Sequence, residues 1–159
     1  MAKYHVEVLS TDSVLKIDGV NYHHHPNGGG LVAETAKVAK SAYVGPFVRV
    51  YDNAEVSDNA KVSDNAQIFG HARVSDYTQV SDNAQISGHA QISDNAQISG
   101  HARVSGNAQI SDNVRISGYA RVLGHSQVSD NAQISGHARL YGHAKVSGNT
   151  QIFDDTCLS

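Results

Sequence analysis

Residues 84–95 of the chain read AQISGHAQISDN, which is two copies of a six-residue phrase that differ at their last two positions. The same phrase fills positions 36–155 in twenty consecutive copies, without an insertion. Its third residue is aliphatic in every copy, and its first residue is alanine in fifteen of them. A repeat this short and regular is typical of a solenoid, in which each unit buries its apolar side chains only by stacking on its neighbours.

Each copy predicts one short strand. Two apolar positions separated by one polar residue follow the alternation of a β-strand, whereas an amphipathic helix needs apolar residues three and four apart. The pairs that end the phrase, such as Gly88-His89 and Asp94-Asn95, adopt left-handed backbone at low cost. They predict a sharp corner after every strand.

A slower period of 18 residues lies over the first. Every third copy carries aspartate at its fifth position, namely Asp58, Asp76, Asp94, Asp112 and Asp130. Another set, also spaced every third copy, carries glycine there, namely Gly70, Gly88, Gly106, Gly124 and Gly142. If each coil had two strands, aspartates and glycines would fall in the same corner column. The period therefore predicts three strands per coil and a triangular cross-section, with nearly seven coils in a rod about 30 Å long.

The phrase, as in residues 86–91 (ISGHAQ), resembles the hexapeptide repeat of left-handed parallel β-helix proteins. The resemblance covers about three quarters of the chain and implies an all-β, left-handed parallel β-helix. Many members of that family are trimeric acyl- or nucleotidyltransferases and others are structural, so the fold alone does not give the activity. The sequences of the repeats resemble most those of uncharacterised bacterial and bacteriophage proteins.

The composition limits the classes of function. The 159 residues carry a formal net charge of −3, no Trp and 14 Gly, which suits one thin solenoid and gives no reason to expect nucleic-acid binding. A single cysteine, Cys157, forbids an internal disulfide. No segment resembles a signal peptide or a membrane span. We expect synthesis in the cytoplasm and no membrane partner, with a virus particle or the cell surface as a final location.

The non-repetitive segment is assigned to residues 1–30, and the β-helix to residues 31–159. Residues 4–9 alternate like a strand, and Asp18-Gly19 between two short apolar runs is a strong hairpin signal. We expect either a small β-hairpin cap over the first coil or a module that docks the rod onto another structural protein.

One face of the predicted coil carries arginine and large apolar residues at outward positions where the other two faces carry almost unbroken serine. Such a mixture is typical of a buried contact surface. The predicted interface consists of Arg49, Tyr51, Phe69, Arg103, Arg121, Leu123, Arg139 and Tyr141. The aspartate column of a neighbouring subunit would neutralise the arginines, and three such contacts would close a homotrimer. The alternative is a set of isolated surface hydrophobics without consequence.

Four histidines share one corner column, namely His71, His89, His125 and His143, while His101 and His137 share a second. Transferases of the resembled family use a histidine base between subunits. A base needs a pocket and an environment that shifts its pKa, and a recurring turn residue has neither. The chain also lacks the inserted loop that shapes the acyl-donor site in those enzymes. We interpret these histidines as structural and assign no catalytic residue.

Two residue sets are candidate cation sites. The first is His5, His23, His24 and His25, whose imidazoles suit zinc, copper or nickel, although an exposed histidine-rich loop explains them equally. The second is the aspartate column, whose neighbouring carboxylates repel by about 1 kcal/mol per pair. Either a bridging divalent cation such as calcium or hydrogen bonds from each aspartate's own turn would offset this repulsion. No other cofactor is expected.

Three functions stay open on the sequence. The first is a non-catalytic structural rod, a homotrimeric surface or phage-particle component that docks through its N-terminal segment. The second is an acyltransferase that uses coenzyme A. The third is a module that binds a polymer, a glycan or ice through its flat Gln-x-Ser faces, as at residues 91–93 above 109–111. The uninterrupted repeat favours the first.

Overall fold

The computed structural model describes the backbone of residues 6–8 and all of residues 14–159. It is an all-β, left-handed parallel β-helix of about seven coils with three strands per coil, as predicted. The described part of the chain contains no helix that could cross a membrane.

Four strands begin the chain, and they all belong to the sheet that we name sheet A: β1 (Val6–Val8), β2 (Leu15–Ile17), β3 (Val20–His24) and β4 (Leu31–Ala33). Sheet A continues with β7 (Arg49–Val50), β10 (Gln67–Ile68), β13 (Gln85–Ile86), β16 (Arg103–Val104), β19 (Arg121–Val122), β22 (Arg139–Leu140) and β25 (Cys157–Leu158).

The other two sides of the coil are sheets B and C, each of seven strands. Sheet B contains β5 (Lys37–Val38), β8 (Glu55–Val56), β11 (Arg73–Val74), β14 (Gln91–Ile92), β17 (Gln109–Ile110), β20 (Gln127–Val128) and β23 (Lys145–Val146). Sheet C contains β6 (Tyr43–Val44), β9 (Lys61–Val62), β12 (Gln79–Val80), β15 (Gln97–Ile98), β18 (Arg115–Ile116), β21 (Gln133–Ile134) and β24 (Gln151–Ile152).

Every residue of the coil pairs in parallel with the residue 18 positions later, so that Gln85 lies over Arg103 and Gln91 over Gln109. The backbone N–H groups donate along the axis to the next coil, as from Ser87 to the carbonyl of Val104 at 2.9 Å. Because each residue has the same neighbours above and below, the predicted register of 18 is confirmed.

The interior is a stack of alanine and β-branched side chains, as the phrase predicts. Ile86 and Ala84 are fully buried, and Ile110 is 1% exposed. Full burial of such an aliphatic side chain stabilises the fold by about 1.5–3 kcal/mol. Two buried inward positions carry hydroxyls: Ser126 donates to the carbonyl of Leu123 at 2.7 Å, whereas Thr78 Oγ1 has no partner among the described residues.

The corners adopt left-handed backbone, as predicted from their residues. Asp94 has φ 62° and Gly106 has φ 73°. A Cβ added to Gly106 would lie 2.7 Å from the backbone N and O of Gly124 in the next coil. Glycine there meets both requirements, the left-handed φ and the close approach of successive coils.

The N-terminal strands extend sheet A beyond the first coil. Strands β1 to β4 pair antiparallel, and β4 then pairs in parallel with β7. The predicted hairpin is present, with Asp18 at φ 50° and Gly19 at φ 83° between β2 and β3. Both positive values match the turn type that two-residue hairpins favour.

The end of the first coil is closed by the loop at residues 25–30. The N–H of Gly30 donates to the carbonyl of Val44, and the N–H of Val44 donates to the carbonyl of Asn27, both at 2.9 Å. The Asn27 amide donates to the carbonyl of Ala42 at 3.0 Å. A Cβ at Gly28 would lie 2.3 Å from the Val44 oxygen, so only glycine permits this approach.

Candidate functional site

The outward side of sheet A divides into two halves of different character. Its second-position row reads Arg49, Gln67, Gln85, Arg103, Arg121 and Arg139 along the axis. Each strand turns its aliphatic residue into the core, which forces the arginine side chain outward. The first arginine and the last three have different surroundings.

Arg49 lies between two tyrosines of its own chain. Its guanidinium carbon is 5.7 Å from the ring centre of Tyr22 and 5.4 Å from that of Tyr51, which are cation–π distances. Tyr51 in turn stacks on Phe69, with ring centroids 4.9 Å apart and planes within 2°. This cluster ties β3 to the coil, so these three predicted interface residues already have partners within the chain.

Burial is the main influence on the Tyr51 hydroxyl. Desolvation raises the pKa of Tyr51 above its ordinary value and outweighs the opposing effect of Arg49. The phenol therefore stays protonated in this cluster at neutral pH, and its O–H lies 3.4 Å from Gln67 Oε1.

The last three arginines, Arg103, Arg121 and Arg139, are exposed. Among residues 14–159, none of them forms an ion pair. Arg73 on sheet B differs, because its Nε lies 3.2 Å from Glu55 Oε2. The row therefore carries three positive charges at successive coils without a compensating carboxylate in the described part of the chain.

An aromatic wall flanks these arginines at the corner between sheets C and A. Tyr119 stacks between His101 and His137, with centroid separations of 4.8 and 5.1 Å. The three rings and the three arginines line a shallow groove of about 250 Å³. We name this site the arginine groove; it consists of His101, Arg103, Tyr119, Arg121, His137 and Arg139.

The predicted interface contained the arginines but not this wall. A signal for the wall is present in the sequence, since the corner residue and the strand residue two positions later change together. They read Asn83 and Gln85 in one coil, then His101 and Arg103 in the next. The aromatic and arginine pairing persists for three consecutive coils, which a purely structural repeat does not require.

The arginine groove presents hydrogen-bond donors. Tyr119 has both ring faces covered by the two histidines, and all three residues are exposed to solvent. Imidazole N–H, phenol O–H and guanidinium N–H groups all donate, and arginine has no acceptor at all. The arrangement therefore suits a ligand that carries several anionic oxygens along the rod axis.

Leu123 and Tyr141 continue the predicted interface beside the arginine groove. Leu123 is half-buried, whereas Tyr141 is 44% exposed. Both lie at outward positions of sheet A, one residue beyond the aliphatic residue of β19 and of β22. Their role as contact residues stays a prediction.

The aspartate column lies at the corner between sheets B and C. Its carboxylates accept hydrogen bonds from the next coil, as from the N–H of Asp94 to Asp76 Oδ2 at 3.2 Å and from that of Asp112 to Asp94 Oδ2 at 3.2 Å. The preceding serine adds a bond, from Ser93 Oγ to Asp94 Oδ2 at 2.9 Å. The backbone donors thus come from the next coil and not from each aspartate's own turn, and they offset the repulsion along the column.

The described part of the chain places no three His, Cys, Asp or Glu side chains as a metal ion would need. His5 lies outside the described residues. His25 is buried, with Nε2 3.2 Å from the carbonyl of Ala39 and Nδ1 3.3 Å from the N–H of Asn27. These bonds fix it in the loop that closes the first coil. His23 and His24 are exposed, and the two predicted cation sites stay predictions.

The corner histidines between sheets A and B form two stacked pairs. His71 and His89 have ring centroids 4.8 Å apart, and His125 and His143 have theirs 5.0 Å apart. Asn107 separates the pairs. Each ring thus repeats the surroundings of its neighbour, which agrees with the interpretation of these histidines as structural.

A protein-family model described as the GMPPB C-terminal domain matches residues 27–135, more than half of the chain. No curated protein matches the sequence. The matched segment contains residues 27–30 of the loop that closes the first coil, the aspartate column and four of the six residues of the arginine groove. With its family model and its parallel β-helix in agreement, the chain belongs to the GMPPB C-terminal domain family.

Proposed function

We propose that the chain is a non-catalytic structural rod that works as a homo-oligomer. It associates with copies of itself through the arginine groove and the outward residues of sheet A. Its setting is a larger assembly, a virus particle or a cell surface, to which the N-terminal strands attach it.

The observation that carries this proposal is the uninterrupted register of the coil. From β4 to β25 each strand pairs with the strand of the next coil, and no inserted loop interrupts the stack to enclose a substrate. The surface that departs from the repeat is a row of charges without partners in the described chain, which suits contact with another surface.

Attachment through the N-terminal strands is supported by their position. Strands β1 to β3 add three antiparallel strands to one edge of sheet A. Among the described strands, β1 has β2 as its single neighbour. An edge strand of this kind can pair with a strand of another protein by β-augmentation.

The competing function is acyl transfer with coenzyme A and a corner histidine as base. The stacking of His89 on His71 argues against it, since a base must reach the substrate as a distinct group. Asn107 occupies the same column, so His89→Asn is a replacement that the fold already accommodates.

Calorimetric titration with coenzyme A and with acetyl-coenzyme A separates the two functions. We expect no saturable binding to the wild-type rod up to about 1 mM ligand, the upper end of the usual KM range of enzymes. Saturable micromolar binding, together with acetyl transfer that His89→Asn abolishes, would overturn the structural proposal.

A further inference from the structure

The arginines of the arginine groove and the aspartate column lie on opposite sides of the rod. Each coil runs from sheet A to sheet B to sheet C, and the aspartates occupy the corner between sheets B and C. In a three-sided coil, the corner between two sheets is opposite the third sheet. The positive row of sheet A and the negative corner therefore face away from each other.

The two columns have the same spacing. Arg103, Arg121 and Arg139 succeed one another every coil, because β16, β19 and β22 are neighbours in sheet A. The aspartates repeat over the same coils, at about 4.8 Å per step. A second copy of this rod thus carries carboxylates at the spacing of the arginines, and it does so over several coils.

The aspartates have an oxygen free for such a contact. The hydrogen bonds described for Asp94 and Asp112 all use Oδ2. Among residues 14–159, no donor is described for their Oδ1 atoms. Both residues are exposed, so one carboxylate oxygen holds the corner while the other faces outward.

We propose that the arginine groove of one rod binds the aspartate corner of a second copy, and that this contact propagates as an open row of rods side by side. This inference rests on the proposed function, because it names the partner of the same surface. The donors of the groove meet acceptors of matching spacing, and each contact pairs three arginines with three aspartates.

The placement of the two surfaces decides between a ring and a row. In a closed trimer of parallel rods, the two contacting surfaces of one subunit lie about 60° apart around its axis, as the corners of a triangle require. Here the arginines of sheet A lie about 180° from the aspartate corner, and the aromatic wall at the corner between sheets C and A lies about 120° from it. Neither placement fits a closed trimer of parallel rods, and a contact centred on the arginines adds a neighbour without turning.

The numbers of charges also set the offset between parallel neighbours. Nine residues, half a coil, separate Arg103 from Asp94 on one side and from Asp112 on the other, so in rods at equal height each arginine lies between two levels of the corner column. Arg139 lies between the levels of Asp130 and Gly148. A shift of half a coil, about 2.4 Å, therefore brings the three arginines to the levels of Asp94, Asp112 and Asp130.

Two matched variants test this inference by sedimentation velocity over a range of protein concentrations. The first replaces Arg103, Arg121 and Arg139 by Gln, the residue that Gln67 and Gln85 already supply in this row. The second replaces Asp94, Asp112 and Asp130 by Asn, which retains a side-chain oxygen and tolerates left-handed backbone. Unchanged thermal unfolding of each variant shows that the coil is intact.

We expect the wild type to grow with concentration at low salt and to dissociate at about 0.5 M salt, where exposed ion pairs are screened. Each variant alone stays monomeric, and an equimolar mixture forms dimers that grow no further, because one intact groove meets one intact corner.

An oligomer of fixed size that both variants preserve would overturn this inference and leave the self-associating rod standing. A wild-type monomer under every condition would overturn self-association itself.

Discussion

Tyr119 stacks on His101 with their ring centroids 4.8 Å apart and their planes within 4°. The pair belongs to the wall of the arginine groove, which no requirement of the coil explains, since Asn65 and Asn83 occupy the same corner in earlier coils. The wall and the arginines change together along the chain. In the proposed function, these three coils form the contact site and the remaining coils position them.

Replacing Tyr119 by Asn tests the wall. The change removes two ring contacts, each worth about 0.5–1.5 kcal/mol, and replaces the phenol O–H by a shorter amide. We expect unfolding a few degrees lower and association weaker by about tenfold, as measured by sedimentation. The control is His89→Asn at another corner, which should leave association unchanged; an equal loss in both variants would mean that the wall has no special role.

Replacing Ile110 by Asp tests the core. Ile110 is 1% exposed, and a buried charge without a partner costs several kcal/mol. We expect the cooperative thermal transition to disappear or to fall by more than about 15 °C. Gln109→Asp places the same charge on the exposed neighbour and should change stability by less than about 0.5 kcal/mol. Equal behaviour of the two variants would contradict the inward and outward assignment.

Replacing Gly28 by Ala tests the closure of the first coil. The new Cβ would lie 2.3 Å from the Val44 oxygen, so the loop has to move away. We expect the amide of Val44, which donates to Asn27, to exchange hydrogen about tenfold faster. Gly29→Ala is the control, because Gly29 also has a positive φ but no atom within 4 Å of the added Cβ. Unchanged exchange in Gly28→Ala would show that the loop does not depend on this contact.

The Tyr51 cluster predicts a loss of stability in alkali. Burial raises the pKa of Tyr51 above its unfolded value of 10.0, so its stabilising contribution is complete below pH 10 and disappears as pH rises through the folded pKa. Thermal unfolding from pH 9 to 11.5 should therefore decline more steeply in the wild type than in Tyr51→Phe, which has no proton to lose. Parallel curves would mean that the phenol is not desolvated.

The fold was predictable because the period of the phrase carries it. The fifth position of the phrase is aspartate in one set of copies, as at Asp94, and glycine in another, as at Gly88. This difference indicated three strands per coil and not two. Both residue types adopt the left-handed backbone that the corners require. The hairpin at Asp18-Gly19 was equally visible, since two-residue turns have a local sequence signature.

The closing loop was not predictable, because its contacts join distant backbone groups. Nothing local to Asn27 indicates that its carbonyl will meet the N–H of Val44. The hairpin itself was predicted, but no local signal indicated that β3 would pair with β4 and so join the hairpin to sheet A.

The candidate site was predictable in part. The arginines were found from their row, but Arg49 belongs with Tyr22, a partner from outside the repeat. The trimer expected from the opposite charges neglected where the charges lie around the coil. That placement follows from the order of the three sheets, and it changes the expected assembly from a ring to a row.

The most direct measurement is an image of the assembly by cryo-electron microscopy at low salt and high protein concentration. We expect rows of rods side by side, all in the same orientation, with sheet A of each rod against the corner between sheets B and C of the next. Closed rings of three rods, with sheet A facing a common axis, would contradict the account.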